Sequence, residues 1–303
     1  MKKFLKVLIK IGIIATLALG LFKSYSLYNQ NVLQKSKNQE GLPLKDRSFV
    51  LIIFPHELEN EELEEKNILS ILTQSHLDFQ VLYLYNSEKG SCLTKTKNMI
   101  GYLQKLDKVT FLPIKENEPM LLSLYQAIQN CDDEKIILPM SNHDFLSHEN
   151  VLSKLNNLYK SPFTWMTYGS FLNYPSYKNL QLSSKPFPKN TVFNNSYRSH
   201  NIPNLYPITC YAKLFKQIQK KDLLKLPKQL FKADWSLAYT IPLLEMAGKH
   251  ARFVNETLYL HARIAEDNLS HREENLLYLR KQPKYKRLKE DLFTNKIAPS
   301  SSK

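Results

Sequence analysis

Residues Cys131–Leu152, CDDEKIILPMSNHDFLSHENVL, contain the pattern that decides the fold. The apolar run Ile136–Met140 predicts a buried strand, and four polar residues, Ser141–Asp144, follow it directly, before a helix predicted to begin near Ser147. In open α/β sheets, ligands bind just beyond the carboxyl ends of the strands. These four residues, which we name the polar turn, are therefore the first candidate for a functional site.

The first half of the chain alternates between strands and helices. Predicted strands are Phe49–Phe54, Phe79–Tyr85, Val109–Ile114 and Ile136–Met140, and predicted helices lie near Glu57–Gln74, Asn98–Leu106 and Met120–Asn130. This order predicts an α/β fold with a mostly parallel central sheet and helices on both of its faces.

The second half has a different character. It contains a predicted strand Trp165–Phe171, a stretch Asn173–Ile208 rich in Pro, Asn and Ser, helices Tyr211–Leu224 and Trp235–Met246, a closing strand Arg252–Leu260 and a basic helix from His271. Stretches without periodicity of this length predict long loops over a binding face.

Composition narrows the class of protein. A hydrophobic fraction of 43% in 303 residues indicates a folded chain with a sizeable core. The net charge of +14 favours anionic partners, which include phospholipid surfaces, nucleic acid and phosphate-bearing substrates, and does not choose among them. Because Cys92, Cys131 and Cys210 are odd in number and far apart, they predict buried free thiols and no disulfide framework or CxxC metal site.

The amino terminus predicts a membrane segment. Phe4–Phe22 follows the basic start Met1–Lys3 and is charged only at Lys6 and Lys10. If both lysines snorkel, this helix approaches the roughly 30 Å thickness of the hydrocarbon layer. No small-x-small cleavage site follows, so we favour an uncleaved anchor over a removed signal peptide. We expect a membrane segment at 1–28, a linker at 29–47, a folded domain at 48–290 and a polar tail at 291–303.

The order of elements resembles the family 2 glycosyltransferases with the GT-A fold. The resemblance runs from about Phe49 to Leu288 and is carried by VLIIFP, EEKNILSILTQSHLDFQVLYLYNSEKGS, IILPMSNHDFLSHENVL, WMTYGSFLNYP, PFP and ADWSLAYTIPLLEMAGKHARFVNETLYLHAR. It implies transfer of a sugar from a nucleotide-sugar donor to a glycan or lipid acceptor. It also implies a divalent cation, Mn²⁺ or Mg²⁺, that stabilises the leaving diphosphate.

The resemblance places the family's DxD metal motif at the polar turn. Ser141 and His143 stand at the positions of the two Asp residues, and Asp144 matches a third acidic residue that is often present. The resemblance thus implies Asp144 as a metal or diphosphate ligand with His143 beside it, a pair that suits Mn²⁺ or Zn²⁺ better than Mg²⁺. As alternatives, Asp144 caps a helix that begins at Phe145–Ser147, and His143 is a solvated loop histidine.

Donor contacts are implied at two further strand ends. Tyr85, Asn86 and Ser87 replace the Asp pair that contacts the nucleotide base in the family, and Asn86 can hydrogen-bond a base while Tyr85 stacks on it. The alternative is an ordinary turn. At the end of the closing strand, Arg263 suits a diphosphate contact and His261 is a third candidate metal ligand. The alternative there is a surface pair without a ligand.

The candidate general base is Asp234. In KADW it matches the second acid of the family's Glu-Asp base motif, directly before the helix Leu237–Met246. The resemblance implies that its carboxylate deprotonates the acceptor hydroxyl. The alternative is a simple helix N-cap. Glu245, farther along the same helix, is predicted to be a helix-face residue.

Two functions stay open. One is a membrane-associated glycosyltransferase that uses Asp234, and the other is a non-catalytic descendant that binds a glycan or a partner through the loops of Asn173–Ile208. Loss of both DxD carboxylates favours the second, and retention of Asp234 favours the first. Nucleic-acid binding has only the charge run Arg280–Lys289 in its favour, and anionic lipid is the better match for that run.

The predicted topology adds a conflict. The positive-inside rule keeps Met1–Lys3 in the cytosol and exports the folded domain, whereas nucleotide sugars are expected in the cytosol. Either the segment lies in the membrane plane, or the domain works outside on a lipid-linked donor, or catalysis has been lost. A membrane-associated protein is expected in each case, with the side of the membrane left open.

Overall fold

A computed structural model describes residues 45–56, 60–86, 94–115, 118–177, 185–200, 202–224, 235–262 and 269–290. Contacts divide the chain into two units, Met1–Lys45 and Asp46–Lys303, and the second contains the elements described below. The predicted membrane segment Phe4–Phe22 lies outside the described residues. Within the described residues, no helix is both long and apolar enough to cross a membrane.

The described elements are eight strands and eight α-helices. The strands are β1 (Phe49–Phe54), β2 (Phe79–Asn86), β3 (Val109–Ile114), β4 (Ile136–Ser141), β5 (Phe145–Leu146), β6 (Met166–Tyr174), β7 (Ile208–Tyr211) and β8 (Ala251–Ala262). The helices are α1 (Glu61–Leu72), α2 (Thr94–Lys105), α3 (Met120–Gln129), α4 (Val151–Tyr159), α5 (Lys189–Asn194), α6 (Ala212–Phe215), α7 (Leu237–Ala247) and α8 (Leu269–Lys281). Short 3-10 turns occur at Tyr197–Ser199, Lys220–Leu223 and Gly248–His250.

One half of the sheet follows the prediction. Strands β3, β2, β1 and β4 lie side by side in this order and all run parallel. The apolar runs of the central strands β1 and β4 are continuous because a parallel sheet is covered on both faces, and β4 is buried along its whole length. In the register, Phe54 at the end of β1 is opposite Ser141 at the end of β4. The carboxyl ends of these two central strands therefore lie at one level.

The prediction of a mostly parallel sheet is wrong for the other half. The complete order is β3-β2-β1-β4-β7-β6-β8-β5, and it is mixed. Strand β7 is antiparallel to both β4 and β6, β5 is antiparallel to β8, and β6 is parallel to β8. The βαβ order that enforces parallel pairing stops after β4. Beyond it, long connections let strands enter the sheet in either direction.

Three predicted helices also differ from the structure. Phe145 and Leu146 form β5, so the helix predicted near Ser147 begins only at Val151. The predicted helix Tyr211–Leu224 is instead the end of β7, one turn of α6 and a 3-10 turn. The basic helix stops at Lys281, because the ring of Pro283 disfavours a helical residue before it, and the rest of the basic run is not helical.

A buried ion pair fixes the carboxyl-terminal part of the unit. Glu245, predicted to be a helix-face residue, is 0% exposed, and its two carboxylate oxygens accept from Nε and Nη2 of Arg198 at 2.6 and 2.8 Å. Arg198 Nη1 also donates to the carbonyls of Leu279 and Gln282 at 2.6 and 3.1 Å. The Tyr285 amide donates to Glu245 at 2.9 Å. One charge pair thus joins α7, the turn at Tyr197–Ser199 and the end of α8.

Candidate functional site

The polar turn lies at the predicted place, beyond the end of β4, but it faces inward. All four residues of Ser141–Asp144 are buried, and His143 is only 1% exposed. The alternative of a solvated loop histidine at position 143 is therefore wrong. Buried polar groups need hydrogen-bond partners, so the contacts of each residue indicate what the turn does.

Asn142 joins three elements. Its side-chain oxygen accepts from the His56 amide at 2.8 Å, directly after β1, and its amide nitrogen donates to Glu64 Oε1 at 3.0 Å, on α1. The Asn142 backbone amide donates to the Phe54 carbonyl at 2.9 Å. Asn142 therefore holds the ends of β1 and β4 and the helix between β1 and β2 in one fixed arrangement.

Asn67 on α1 holds the backbone of the polar turn. It is 0% exposed, and its Nδ2 donates to the carbonyls of Ser141 and Asp144 at 3.1 and 2.6 Å. Asn67 is not among the site residues predicted from the sequence. The available signal was helical spacing, because Asn67 stands four residues from both Leu63 and Ile71 on the buried stripe of α1.

The Asp144 carboxylate binds the end of β8. Tyr259 donates its hydroxyl to Oδ2 at 2.8 Å, the Ala262 amide donates to Oδ1 at 3.0 Å, and His261 Nδ1 lies 2.9 Å from Oδ1. The predicted helix cap at Asp144 is wrong, because Phe145 begins a strand. Tyr206 stacks on the rings of both Tyr259 and His261, with centroids 5.4 and 5.5 Å apart. Asp144 and His261, both predicted as ligands, are thus brought together.

His143 stacks on His56, with ring centroids 4.6 Å apart and planes 17° apart. Among the described residues, neither ring nitrogen of His143 has a hydrogen-bond partner. Burial, reinforced by the neighbouring His56, lowers the pKa of His143 to about 4, although Asp144 acts in the opposite direction. His143 is consequently neutral at pH 7.

A divalent cation is the cofactor that the resemblance implies for the polar turn. Mg²⁺ and Mn²⁺ prefer oxygen ligands, and the one carboxylate of the polar turn already has hydrogen bonds on both oxygens. Within the described residues, no group of three or more His, Cys, Asp or Glu side chains is placed to hold a metal ion. The described residues do not fit such an ion in this arrangement. Metal binding by Asp144, His143 and His261 stays a prediction.

The other predicted site residues are less well defined by the structure. Tyr85 is 36% exposed and contacts Phe111 edge to face, at 6.1 Å between centroids. Tyr85 and Asn86 extend β2 beyond Tyr83, the last residue that pairs with β1. Ser87, Asp234, Arg263 and the Asn86 side chain lie outside the described part of the chain. Their predicted roles stay predictions.

Replacing Asp144 by Ala should lower the free energy of unfolding by about 3 kcal/mol, because the Tyr259 hydroxyl and the Ala262 amide lose their buried acceptor. Tyr259→Phe removes one of these bonds, and we expect it to cost about 1 kcal/mol. Urea denaturation of both variants measures the difference. Unchanged stability of the Asp144→Ala variant would contradict the structural role and favour a free ligand.

Comparison with known proteins identifies the fold. No protein-family profile and no curated protein sequence matches the chain. Among solved structures, S. aureus TarS 1-349 is similar, with 12% identity and a TM-score of 0.52, over 71% of this chain and 60% of that one. The same protein in complex with UDP-GlcNAc gives 13% identity and a TM-score of 0.50, over 74% and 60% of the two chains. A mannosyltransferase from Pyrobaculum calidifontis, in complex with GDP-Man and Mn²⁺, gives 14% identity and a TM-score of 0.49, over 81% and 68%.

The chain spans about 60% of the length of the TarS chains that it matches. Identities of 12 and 13% are too low to carry over an activity or a site residue, so the likeness concerns the arrangement of strands and helices. That arrangement is the GT-A fold of glycosyltransferases, here with a mixed eight-stranded sheet.

Proposed function

We propose that the chain is a glycosyltransferase, related to family 2, that transfers a sugar from a nucleotide donor to a glycan or lipid acceptor. The observation that carries the proposal is the GT-A-like sheet, with a polar turn at the carboxyl end of its central strand β4. The fold of TarS in complex with UDP-GlcNAc supports a nucleotide-sugar donor as the partner.

The proposed chemistry uses the residues that the resemblance implies for the donor and the acceptor. Tyr85, Asn86 and Ser87 contact the nucleotide base, and Arg263 contacts the diphosphate through its planar guanidinium. The Asp234 carboxylate takes the proton of an acceptor hydroxyl. The acceptor oxygen then forms a bond to the anomeric carbon, and the bond from that carbon to the diphosphate breaks, with the electron pair leaving on the diphosphate.

A second candidate is a binding protein that has kept the fold and lost the reaction. It is favoured by one observation, the engagement of the Asp144 carboxylate with Tyr259 and Ala262. With Ser141 and His143 at the other two positions, the polar turn has a single carboxylate, and its hydrogen bonds to β8 stabilise the fold. Such a protein would bind a glycan or a partner through the loops between β6 and β7.

We further propose that Phe4–Phe22 holds the protein at a membrane. A reporter fused to the carboxyl terminus distinguishes the two sides. A cytosolic reporter agrees with a segment in the membrane plane and a cytosolic nucleotide sugar. An exported reporter requires a lipid-linked donor or a lost reaction.

Calorimetric titration of the full chain in detergent with UDP-sugars and GDP-sugars tests the proposed function. We expect a dissociation constant between about 1 μM and 1 mM for one of them, the range of typical KM values. Titrations with and without Mn²⁺ measure whether the metal contributes to donor binding. Absence of binding by a folded protein contradicts the donor proposal. Binding without sugar transfer to any acceptor identifies the second candidate.

A further inference from the structure

The basic run Arg280–Lys289 is a highly charged feature that the proposed reaction does not use. It contains six Lys and Arg residues and no Asp or Glu. All six are exposed. The last turn of α8 carries Arg280 and Lys281, and a non-helical segment carries Lys284, Lys286, Arg287 and Lys289. We name residues 280–289 the basic strap.

The basic strap is fastened to the domain and is not a loose tail. The Tyr285 amide donates to the buried Glu245, and the Tyr285 carbonyl accepts from Asn195 Nδ2 at 3.0 Å. Farther along, the Leu288 amide donates to the Met246 carbonyl at 3.1 Å. The backbone faces the protein through these bonds. The four lysines of the strap are exposed, whereas Arg280 and Arg287 donate to carbonyls of neighbouring elements. A fixed array of charges loses less entropy on binding a surface than a flexible one.

An exposed aromatic ring lies beside the basic strap. Phe193, in the last turn of α5, is 80% exposed. The Arg287 guanidinium donates to the carbonyls of Val192 and Phe193, the second at 2.7 Å, and so places the strap against α5. Lys249, in the turn that contacts α5, pairs with Glu290 at 2.9 Å. One face of the domain therefore combines a protruding phenyl ring with a cluster of cations.

An anionic phospholipid surface fits this combination. Lysines and arginines near such a surface are attracted to its negative potential, and an exposed phenyl ring enters the boundary between head groups and acyl chains. Single-stranded nucleic acid is bound by several stacked aromatic rings. Of the two aromatic residues at the strap, Phe193 is exposed and Tyr285 is half-buried, and Glu273 on α8 adds an exposed negative charge.

We propose that the basic strap, together with Phe193, docks the folded domain on a bilayer that contains anionic phospholipid. The docking face is made by the domain itself, so it is distinct from the predicted segment Phe4–Phe22. The docking face sets the orientation of the domain on the bilayer, whereas the amino-terminal segment would only attach the chain to it. The inference does not depend on sugar transfer.

Tryptophan quenching by brominated lipid tests the docking face in the full chain. We expect the fluorescence of Phe193→Trp to be quenched on vesicles of brominated phosphatidylcholine mixed with phosphatidylserine. On vesicles of brominated phosphatidylcholine alone, we expect no quenching. The two native tryptophans, Trp165 and Trp235, are corrected for with the parent protein. Tyr102→Trp, on the exposed surface of α2, is the matched control and should not be quenched. Equal quenching of both reporters, or none at Phe193→Trp, would overturn the proposal.

Charge removal tests the strap independently of the ring. In the Phe193→Trp protein, we replace Lys284, Lys286 and Lys289 by Gln. Docking should weaken about fivefold for each lysine, roughly a hundredfold in all, which corresponds to about 1 kcal/mol per basic residue. The same triple change at Lys105, Lys108 and Lys115, around β3, should leave docking unchanged. Equal weakening by both triples contradicts a specific face.

A binding measurement with an oligonucleotide distinguishes lipid from nucleic acid as the partner. A labelled single-stranded RNA is added to the parent protein and to the strap variant. No strap-dependent binding is expected. RNA binding that is lost in the strap variant, without quenching on anionic vesicles, would overturn the lipid proposal. Thermal unfolding of the strap variant near that of the parent excludes misfolding as the cause of any loss.

Discussion

Replacing Glu245 by Ala should lower the free energy of unfolding by about 3 to 5 kcal/mol. The variant leaves the Arg198 guanidinium buried without its carboxylate partner, and it removes the acceptor of the Tyr285 amide. Stability is lost because an unpaired charge in the interior keeps the cost of leaving water without the compensating attraction. Urea denaturation of the full chain, followed by circular dichroism, measures the shift of the midpoint.

Two controls separate burial from charge. Glu256→Ala removes a carboxylate that pairs with Lys154 at 2.6 Å on the surface, and we expect it to cost less than about 1 kcal/mol. The double variant Arg198→Met/Glu245→Leu removes both charges and should recover much of the lost stability. A cost for Glu245→Ala as small as that for Glu256→Ala would contradict the role of the buried pair.

Asp234→Asn should lower kcat by about 10²- to 10⁴-fold, the usual contribution of a general base, while donor affinity changes little. The amide has nearly the shape of the carboxylate but cannot take the proton of the acceptor hydroxyl. Initial rates with a saturating donor, and calorimetric titration of the same variant, measure the two effects. The acidic limb of the pH profile should also disappear.

Asp133→Asn is the matched control for Asp234→Asn. It removes the same charge from an exposed site where Asp133 pairs with Lys216 at 2.7 Å, and it should leave kcat unchanged. Full activity of Asp234→Asn would rule out its role as base. An inactive parent protein that still binds the donor would favour the second candidate, the binding protein.

Half of the sheet can be predicted from the sequence, because the pattern that marks each of these strands lies within the strand itself. Strands β1 and β3 have the predicted bounds, because each is an apolar run ended by a turn signal or a polar residue. Strand β5 has only two residues, too few to show a period. The pairing of β7 with β4 and β6 depends on segments far apart in the chain, so a pattern in one of them does not predict its direction.

The position of the site was predictable, but its environment was not. The polar turn is recognisable because polar residues follow a buried strand. That Asp144 would face Tyr259, 115 residues later, depends on tertiary contacts. The same holds for Glu245, whose partner Arg198 is 47 residues away in the chain. Burial of a charged residue can be predicted only when its partner in the folded protein is known.

Strands β4 and β5 are separated by only the last three residues of the polar turn, although β7, β6 and β8 lie between them in the sheet. On the ribosome, β4 can pair with β1 as soon as it has emerged, whereas β5 has no partner until β8 has been made. At about 5–20 residues per second, synthesis from Asp144 to Tyr259 takes roughly 6 to 23 s. During that interval the carboxylate lacks its donors Tyr259 and Ala262, and closure of the turn waits for one of the last strands to be made.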